Sequence, residues 1–247
     1  MINVRDVSLS FDHDGTSRPV LREISFRLEQ RESCAIIGPS GCGKTSLLFL
    51  LIGLLQPDSG VVEIADGFRS GTILQNYGLF PWKTVYQNVG LGLVLKGEEQ
   101  GLIRSRVDCL LAEMGLAGFH SHFPGQLSGG MQQRVALARA LAIEPEILYM
   151  DEPLSSLDAL TRERLQNLLL EIWRKKKITT VLVTHSIEEA VFLGCKIIVL
   201  SRRPGRILQI VDNPDAGETG YRRSELFFHR CIYLRELLKG EGDGQET

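Results

Sequence analysis

Gly38-Pro39-Ser40-Gly41-Cys42-Gly43-Lys44-Thr45 decides how the rest of the chain is read. The spacing matches G-x-x-x-x-G-K-[ST], the phosphate-binding P-loop. Before it, Ser33-Cys34-Ala35-Ile36-Ile37 reads as a short buried strand; after it, Ser46-Leu47-Leu48-Phe49-Leu50-Leu51 reads as the start of an apolar helix. The chemistry needs this order. Gly38, Gly41 and Gly43 leave room for the backbone to curl, so that successive N–H groups point at phosphate oxygens. A helix N-terminus adds partial positive charge. Lys44 is placed to reach β- and γ-phosphates, and the Thr45 hydroxyl to ligate Mg²⁺.

Working outward, composition bounds the class. The 247 residues are 43% hydrophobic and 23% charged, enough for one large domain or one domain with a subdomain. Net charge is −2, from 28 basic and 30 acidic residues, so no global basicity points to nucleic acid. The longest apolar run, Leu47 to Leu55, has about half the length a membrane span needs. Arg5 and Asp6 sit near an N-terminus with no apolar signal core, so no secretion signal is read. Five scattered cysteines (Cys34, Cys42, Cys109, Cys195, Cys231) with no C-x-x-C fit reduced thiols in a cytosol, without a disulfide framework or zinc site.

Ile2, Val4, Val7, Leu9 and Phe11 predict a half-buried strand, followed by a polar turn over Asp12 to Pro19 and a second strand from Val20 to Leu28. Phe11 is read either as a strand-end core residue or as a ring that stacks on a purine. After the P-loop helix, Gln56-Pro57-Asp58-Ser59-Gly60 is a stop, and Val61–Ile64 and Thr72–Leu74 are short strands with Gln75 at the end of the second. Asn76 to Lys83 is rich in aromatics and broken by Gly and Pro, an exposed loop in want of a partner. Glu98 to Met114 has helical periodicity. His120 and His122 read as surface histidines. Ser128 caps a helix that runs to about Leu141. Glu146 to Met150 is a hydrophobic strand ending in Asp151-Glu152, two carboxylates that need a cation or a chemical task. Asp151 suits Mg²⁺ and Glu152 a general base. Ser155-Ser156-Leu157-Asp158 starts a long helix to about Lys176, and Ile178 to Thr184 is a buried strand with His185 at its tip, where ligands of parallel sheets bind. A short helix (186–194), strands at 196–201 and 207–211, a helix over about 222–238 and a flexible polar tail complete the chain.

These motifs, in this order, resemble the ATP-binding subunits of ABC transporters over roughly residues 2–211: the P-loop, Gln75, LSGGMQQR at 127–134, LYMDEP at 148–153, SSLD at 155–158 and His185. The stretches 80–93 and 151–162 resemble the nitrate/sulfonate/taurine importer branch. The resemblance implies a P-loop NTPase core of the α/β class with a mainly parallel sheet, an antiparallel β subdomain and a helical subdomain (about 84–142) within an ATPase domain at 1–212. Residues 213–247 form an extension with one helix and a flexible tail, outside the resemblance and given no role. By the same resemblance, Phe11 stacks on adenine, and Gly38, Pro39, Ser40, Gly41, Cys42, Gly43, Lys44, Thr45 and Ser46 hold phosphate. Thr45, Gln75 and Asp151 hold Mg²⁺, with Gln75 also sensing the attacking water. Glu152 is the catalytic base and His185 touches the γ-phosphate. Ser128 and Gly130 meet ATP bound on a second ATPase subunit, and Asp158 links the two sites across a head-to-tail homodimer.

The implied cofactors are ATP and Mg²⁺. The implied partners are that second subunit, a transmembrane permease contacted through about Tyr77–Lys83, and indirectly a substrate-binding protein, but no nucleic acid. The implied location is cytoplasmic, peripheral on the inner face of the cell membrane. Three departures stand out: Arg31-Glu32 replaces Gly-Glu, Ser46 stands where threonine is common, and the segment from Gly60 to Gln75 is short enough for a hairpin of the antiparallel subdomain to be missing. Two other classes compete. Soluble ABC-type ATPases of repair or translation tend to carry a coiled-coil insertion or a second cassette, and neither is seen here. A nucleotide-binding module without hydrolysis is opposed by Glu152 and His185. The transported molecule is not encoded in this chain.

Overall fold

The structure is a computed structural model describing residues 1–13, 16–65, 67–155 and 157–240. The expected flexible tail beyond Gly240 lies outside the described residues, as do the tip of the first hairpin and Ser156 of the SSLD sequence. In chain order the elements begin β1 (Ile2–His13), β2 (Thr16–Leu28), β3 (Ser33–Ile37), α1 (Lys44–Leu51), β4 (Ser59–Ile64) and β5 (Ser70–Ile73). They continue with α2 (Val85–Leu95), α3 (Gln100–Glu113), α4 (Gly129–Ala142), β6 (Ile147–Asp151) and α5 (Ala159–Lys176). The last are β7 (Thr179–Val183), α6 (Ile187–Leu193), β8 (Lys196–Leu200), β9 (Ile207–Asp212) and α7 (Glu225–Gly240). No described helix is long and apolar enough to cross a membrane. The chain forms two compact units: residues 1–67 with 169–247, and residues 68–168.

The first unit holds two β layers. β1 lies between β2 and β4 in an antiparallel sheet. Its buried positions skip from Ile2 and Val4 to Val7 and Leu9, because a register irregularity between Val4 and Val7, with Asp6 at φ +48°, restores the inward face after one extra residue. The hairpin is longer than the sequence predicts. Phe11 pairs with Arg18 and His13 with Thr16, so residues 12–13 and 16–19 extend the strands instead of looping. Cross-strand pairing overrides weak local propensity here. β4 pairs only with β1, and no strand occurs between β4 and β5 among the described residues. The second layer runs β7-β3-β8-β9, with β3 parallel to both β7 and β8 and β9 antiparallel to β8. Every residue of β3 is buried, the continuous apolar run expected of a parallel strand covered on both faces.

The second unit pairs β5 and β6 in parallel, Ile73 against Met150. Around them stand α2, α3 and α4, whose apolar faces (Val85, Val89, Leu93; Ile103, Val107, Leu110, Leu111; Val135, Leu137, Leu141) are buried. The sequence reading has no helix at 85–95. Gly90, Gly92 and three valines make it a poor helix former on propensity. Its start is nonetheless written locally: the Thr84 hydroxyl accepts from the Gln87 N–H, and the Gln87 side chain accepts from the Thr84 N–H, a capping box.

After β9 the chain packs back onto the first unit. Asn213 is fully buried. Its Nδ2 donates to the carbonyls of Val191 and Gly194 at 2.8 Å each, and its Oδ1 accepts from the Tyr221 hydroxyl. The Arg222 guanidinium lies 3.8 Å from the centre of the Phe192 ring, and Arg235 on α7 pairs with Glu188 on α6. Replacing Asn213 strands buried partners. Asn213→Ala is therefore expected to lower unfolding free energy by about 2–4 kcal/mol, and Tyr221→Phe by about 1 kcal/mol, both read from urea denaturation midpoints.

Candidate functional site

In the first unit the predicted phosphate-binding residues form one bend between β3 and α1. Gly41 and Gly43 have φ of +76° and +101°. Gly43 is also closely packed: a Cβ there would lie 2.7 Å from Leu21 Cδ2 and 3.0 Å from Val20 Cγ1, so those buried side chains would have to shift. Gly38 is buried, Ser40 and Thr45 are exposed, and Pro39 and Ser46 are half-buried. Lys44 is 7% exposed, and its Nζ donates to the carbonyls of Gly38 and Pro39 at 2.9 Å each. The loop's own carbonyl oxygens thus solvate and aim the ammonium. Burial pushes the Cys42 thiol pKa up, which keeps it a packing group at neutral pH.

His185 leaves the sheet beside this loop. β7 runs parallel to β3 with Val183 opposite Ile36, and the Thr184 N–H donates to the Ile36 carbonyl at 3.1 Å. Both connections therefore leave the carboxyl end of adjacent parallel strands, where ligands of such sheets bind. The Thr184 hydroxyl donates to the buried Glu189 carboxylate and accepts from the Ser186 N–H. Glu189, which sequence reading passes over, thus braces the turn that presents the exposed His185. Phe11, at the far end of β1, is 43% exposed, so it is no core residue.

In the second unit the predicted acidic and amide residues gather at the carboxyl end of β5 and β6. Asp151 is 2% exposed. Glu152 adopts φ +44°, a left-handed conformation that a non-glycine residue holds only when its surroundings enforce it. Here Ser155 supplies them: its N–H and its hydroxyl both donate to the Glu152 carbonyl, at 3.3 and 3.0 Å. Gln75 Nε2 donates to Glu152 Oε2 at 3.4 Å, at the long end of hydrogen-bond range. Among the described residues no cluster of three or more His, Cys, Asp or Glu side chains could hold a metal alone.

Ser128 caps α4, accepting from the Met131 N–H at 3.4 Å, and leaves its side chain exposed. Gly130 is buried; a Cβ there would lie 2.8 Å from Thr161 Cγ2. Asp158 is exposed, and Oδ1 accepts from the Thr161 N–H at 3.0 Å, a bond that holds its carboxyl pKa down. The aromatic loop after Gln75 is built firmly. Arg139 on α4 donates to the carbonyls of Tyr77 and Gly78 at 2.8 and 2.6 Å. Buried Asn88 accepts from the Phe80 N–H and donates to the carbonyls of Phe80, Lys83 and Thr84. Trp82 is left 70% exposed on this frame, edge-on to Phe80. Arg139 and Asn88 are further residues the sequence reading misses, because their partners are backbone carbonyls with no sequence signature. His120 proves to sit beside a carboxylate, Nε2 3.1 Å from Asp108 Oδ1, a neighbour brought by the fold and not by sequence.

A buried parallel strand, a glycine loop turned around a lysine, and a second parallel strand ending in paired carboxylates define a P-loop nucleotide-binding protein. Comparison with known proteins narrows the class. The family described as "ABC transporter" matches residues 21–155. The chain is 44% identical to a taurine import ATP-binding protein of Jannaschia sp. (strain CCS1), over 87% of this chain and 83% of that one. It is 45% identical to an aliphatic sulfonates import ATP-binding protein of Bacillus subtilis (strain 168), over 82% and 80% of the two chains. A solved dimeric ATP-binding cassette in a post-hydrolysis state, bound to ADP and Pi, superposes with a TM-score of 0.77 at 31% identity, over 86% of this chain and 98% of that one. The chain belongs to the ABC transporter family, as an ATP-binding cassette.

Thr184→Val deletes the hydroxyl between Glu189 and Ser186. It is expected to lower stability by about 1–2 kcal/mol through the loss of a buried, charge-assisted hydrogen bond, measured by denaturant unfolding.

Proposed function

We propose that the chain is the ATP-binding subunit of an ABC importer and hydrolyses ATP to drive uptake of a nitrate-, sulfonate- or taurine-type solute through a membrane permease. The observation that carries the hydrolytic reading is Glu152. It lies one residue beyond a buried aspartate at a strand end, is held in a left-handed conformation, and is within 3.4 Å of the Gln75 amide. A strained carboxylate next to a water-orienting amide suits a general base. The importer reading is supported by 44–45% identity to taurine and sulfonate import ATP-binding proteins over most of the chain.

In this reading the loop amides from Gly38 to Ser46 bind the phosphates, Lys44 turns its ammonium from the Gly38 and Pro39 carbonyls to β- and γ-oxygens, and Phe11 stacks on adenine. Oxygen donors from Thr45, Gln75 and Asp151 suit Mg²⁺, a hard cation that keeps water and phosphate oxygens in its shell. Held by these residues, Mg²⁺ would supply positive charge to offset that of the β- and γ-phosphates. Gln75 orients a water, Glu152 takes its proton as the oxygen attacks the γ-phosphorus, and the bond to the β–γ bridging oxygen breaks to release ADP and phosphate. His185 stabilises the γ-phosphate charge. Because phosphoryl transfer is mostly positioning and electrostatics, these contacts supply most of the rate.

Two subunits act head to tail. Ser128 and Gly130 of one meet the γ-phosphate held by the other, and Asp158 joins the two sites. ATP closes the pair and hydrolysis releases it. The subunit works on the cytoplasmic face of the membrane, held there by its permease, which docks on the Tyr77–Lys83 loop and receives solute from a binding protein.

Glu152→Gln is expected to lower ATPase kcat by about 10²–10⁴-fold while ATP-bound dimers persist in light scattering. Wild-type turnover in that variant would refute the assignment of the base. Trp82→Ala is expected to reduce co-purification with the permease and permease-stimulated ATPase activity in proteoliposomes. Unchanged assembly and stimulation would remove this loop from the interface.

A further inference from the structure

The turn between β8 and β9 touches two parts of the first unit that the motifs do not connect. Gly205 is stitched into β2: its N–H donates to the Val20 carbonyl at 2.8 Å, and its carbonyl accepts from the Arg22 N–H at 3.0 Å. On the other side it abuts the phosphate loop. A Cβ built on Gly205 would lie 2.2 Å from the Cys42 carbonyl oxygen. Backbone conformation does not demand a glycine here; space does. Leu21 closes the same contact from β2, because its Cδ2 would be 2.7 Å from a Cβ on Gly43 and 3.3 Å from one on Gly205. Two residues before Gly205, Arg203 reaches the start of β2, near the turn end of the hairpin. Its Nε donates to the Pro19 carbonyl at 3.0 Å and its Nη2 to the Arg18 carbonyl at 3.4 Å. Arg18 is the cross-strand partner of Phe11. The turn is itself braced by Ser201, whose hydroxyl accepts from the Arg206 N–H and donates to the Arg202 carbonyl, both at 2.9 Å.

We propose that this turn, through Gly205 and Arg203, is a positioning element that fixes the spacing between the phosphate loop and the hairpin carrying Phe11, so that base and phosphate chain are gripped together. The inference rests on the reading of Phe11 as the adenine platform. Gly205 acts on the phosphate end, since any larger residue displaces the Cys42 carbonyl and the amides beside it. Arg203 acts on the base end, since it holds the strand opposite Phe11. Neither residue touches nucleotide.

The division of labour predicts different losses for a ligand with a base and one without. MgATP and magnesium tripolyphosphate are titrated calorimetrically into the full chain. Gly205→Ala is expected to weaken both about tenfold or more, as a core clash does. Arg203→Ala, which removes an exposed side chain, is expected to weaken ATP about three- to fivefold and leave tripolyphosphate unchanged. The KM for ATP rises in step while kcat holds. Arg203→Lys, with one donor group left, recovers part of that loss. Phe11→Ala weakens ATP alone. If Phe11→Ala leaves ATP affinity unchanged, the base-stacking reading and the Arg203 role fall together, and Gly205→Ala still decides the phosphate role. Wild-type affinity for both ligands in Gly205→Ala, or equal loss of both in Arg203→Ala, overturns the proposal. Should Gly205→Ala not fold, the Arg203 comparison decides alone.

Discussion

The first unit depends on a backbone bend held around a buried ammonium. Lys44 lies 7% exposed at the start of α1, with its charge on the Gly38 and Pro39 carbonyls. A buried lysine without such partners would be strongly disfavoured. With them it preorganises the loop, because the two carbonyl oxygens fix the ammonium inside the bend. The bend is possible only because Gly43 takes φ +101° against the side chains of Val20 and Leu21. The antiparallel sheet is therefore the outer wall of the phosphate loop and not merely an appended layer.

The second unit is organised by a different constraint, the placement of carboxylates at the ends of short parallel strands. β5 and β6 are in register from Ser70 with Ile147 to Ile73 with Met150. That register brings Gln75 and Glu152 within hydrogen-bonding distance, although 77 residues separate them. The same unit anchors its aromatic loop with Arg139 from α4, the helix that Ser128 caps. A displacement of the loop would pull on the helix that presents Ser128 and Gly130.

Much of the site was legible because its motifs are local. The P-loop needs only neighbouring residues to bend, so its glycines and lysine could be read directly. Ser128 as a cap, and Asp151-Glu152 at the end of an apolar strand, likewise announce themselves within a few positions. What could not be read depends on distant partners. The hairpin length was set by cross-strand pairs such as Phe11 with Arg18. α2 was hidden by its glycines and valines, although Thr84 and Gln87 carried its start signal. Arg139, Asn88, Glu189 and Arg203 bond backbone or buried groups far along the chain, and an arginine or asparagine in sequence does not declare which carbonyl it will meet.

Residue types and short spacings are enough to set the chemistry: a phosphate loop, an acidic strand end, a capped glycine helix and an ordered set of motifs that mark an ABC ATPase. Each is fixed by residue type and short spacing, since phosphate binding, capping and proton transfer need particular groups within a few residues. Long-range packing, by contrast, puts Phe11 at the surface, holds Glu152 in a strained conformation and leaves Gly205 no room for a side chain. Those properties are set by contacts among residues tens to hundreds of positions apart, and close packing, unlike motif chemistry, leaves no mark on the local sequence.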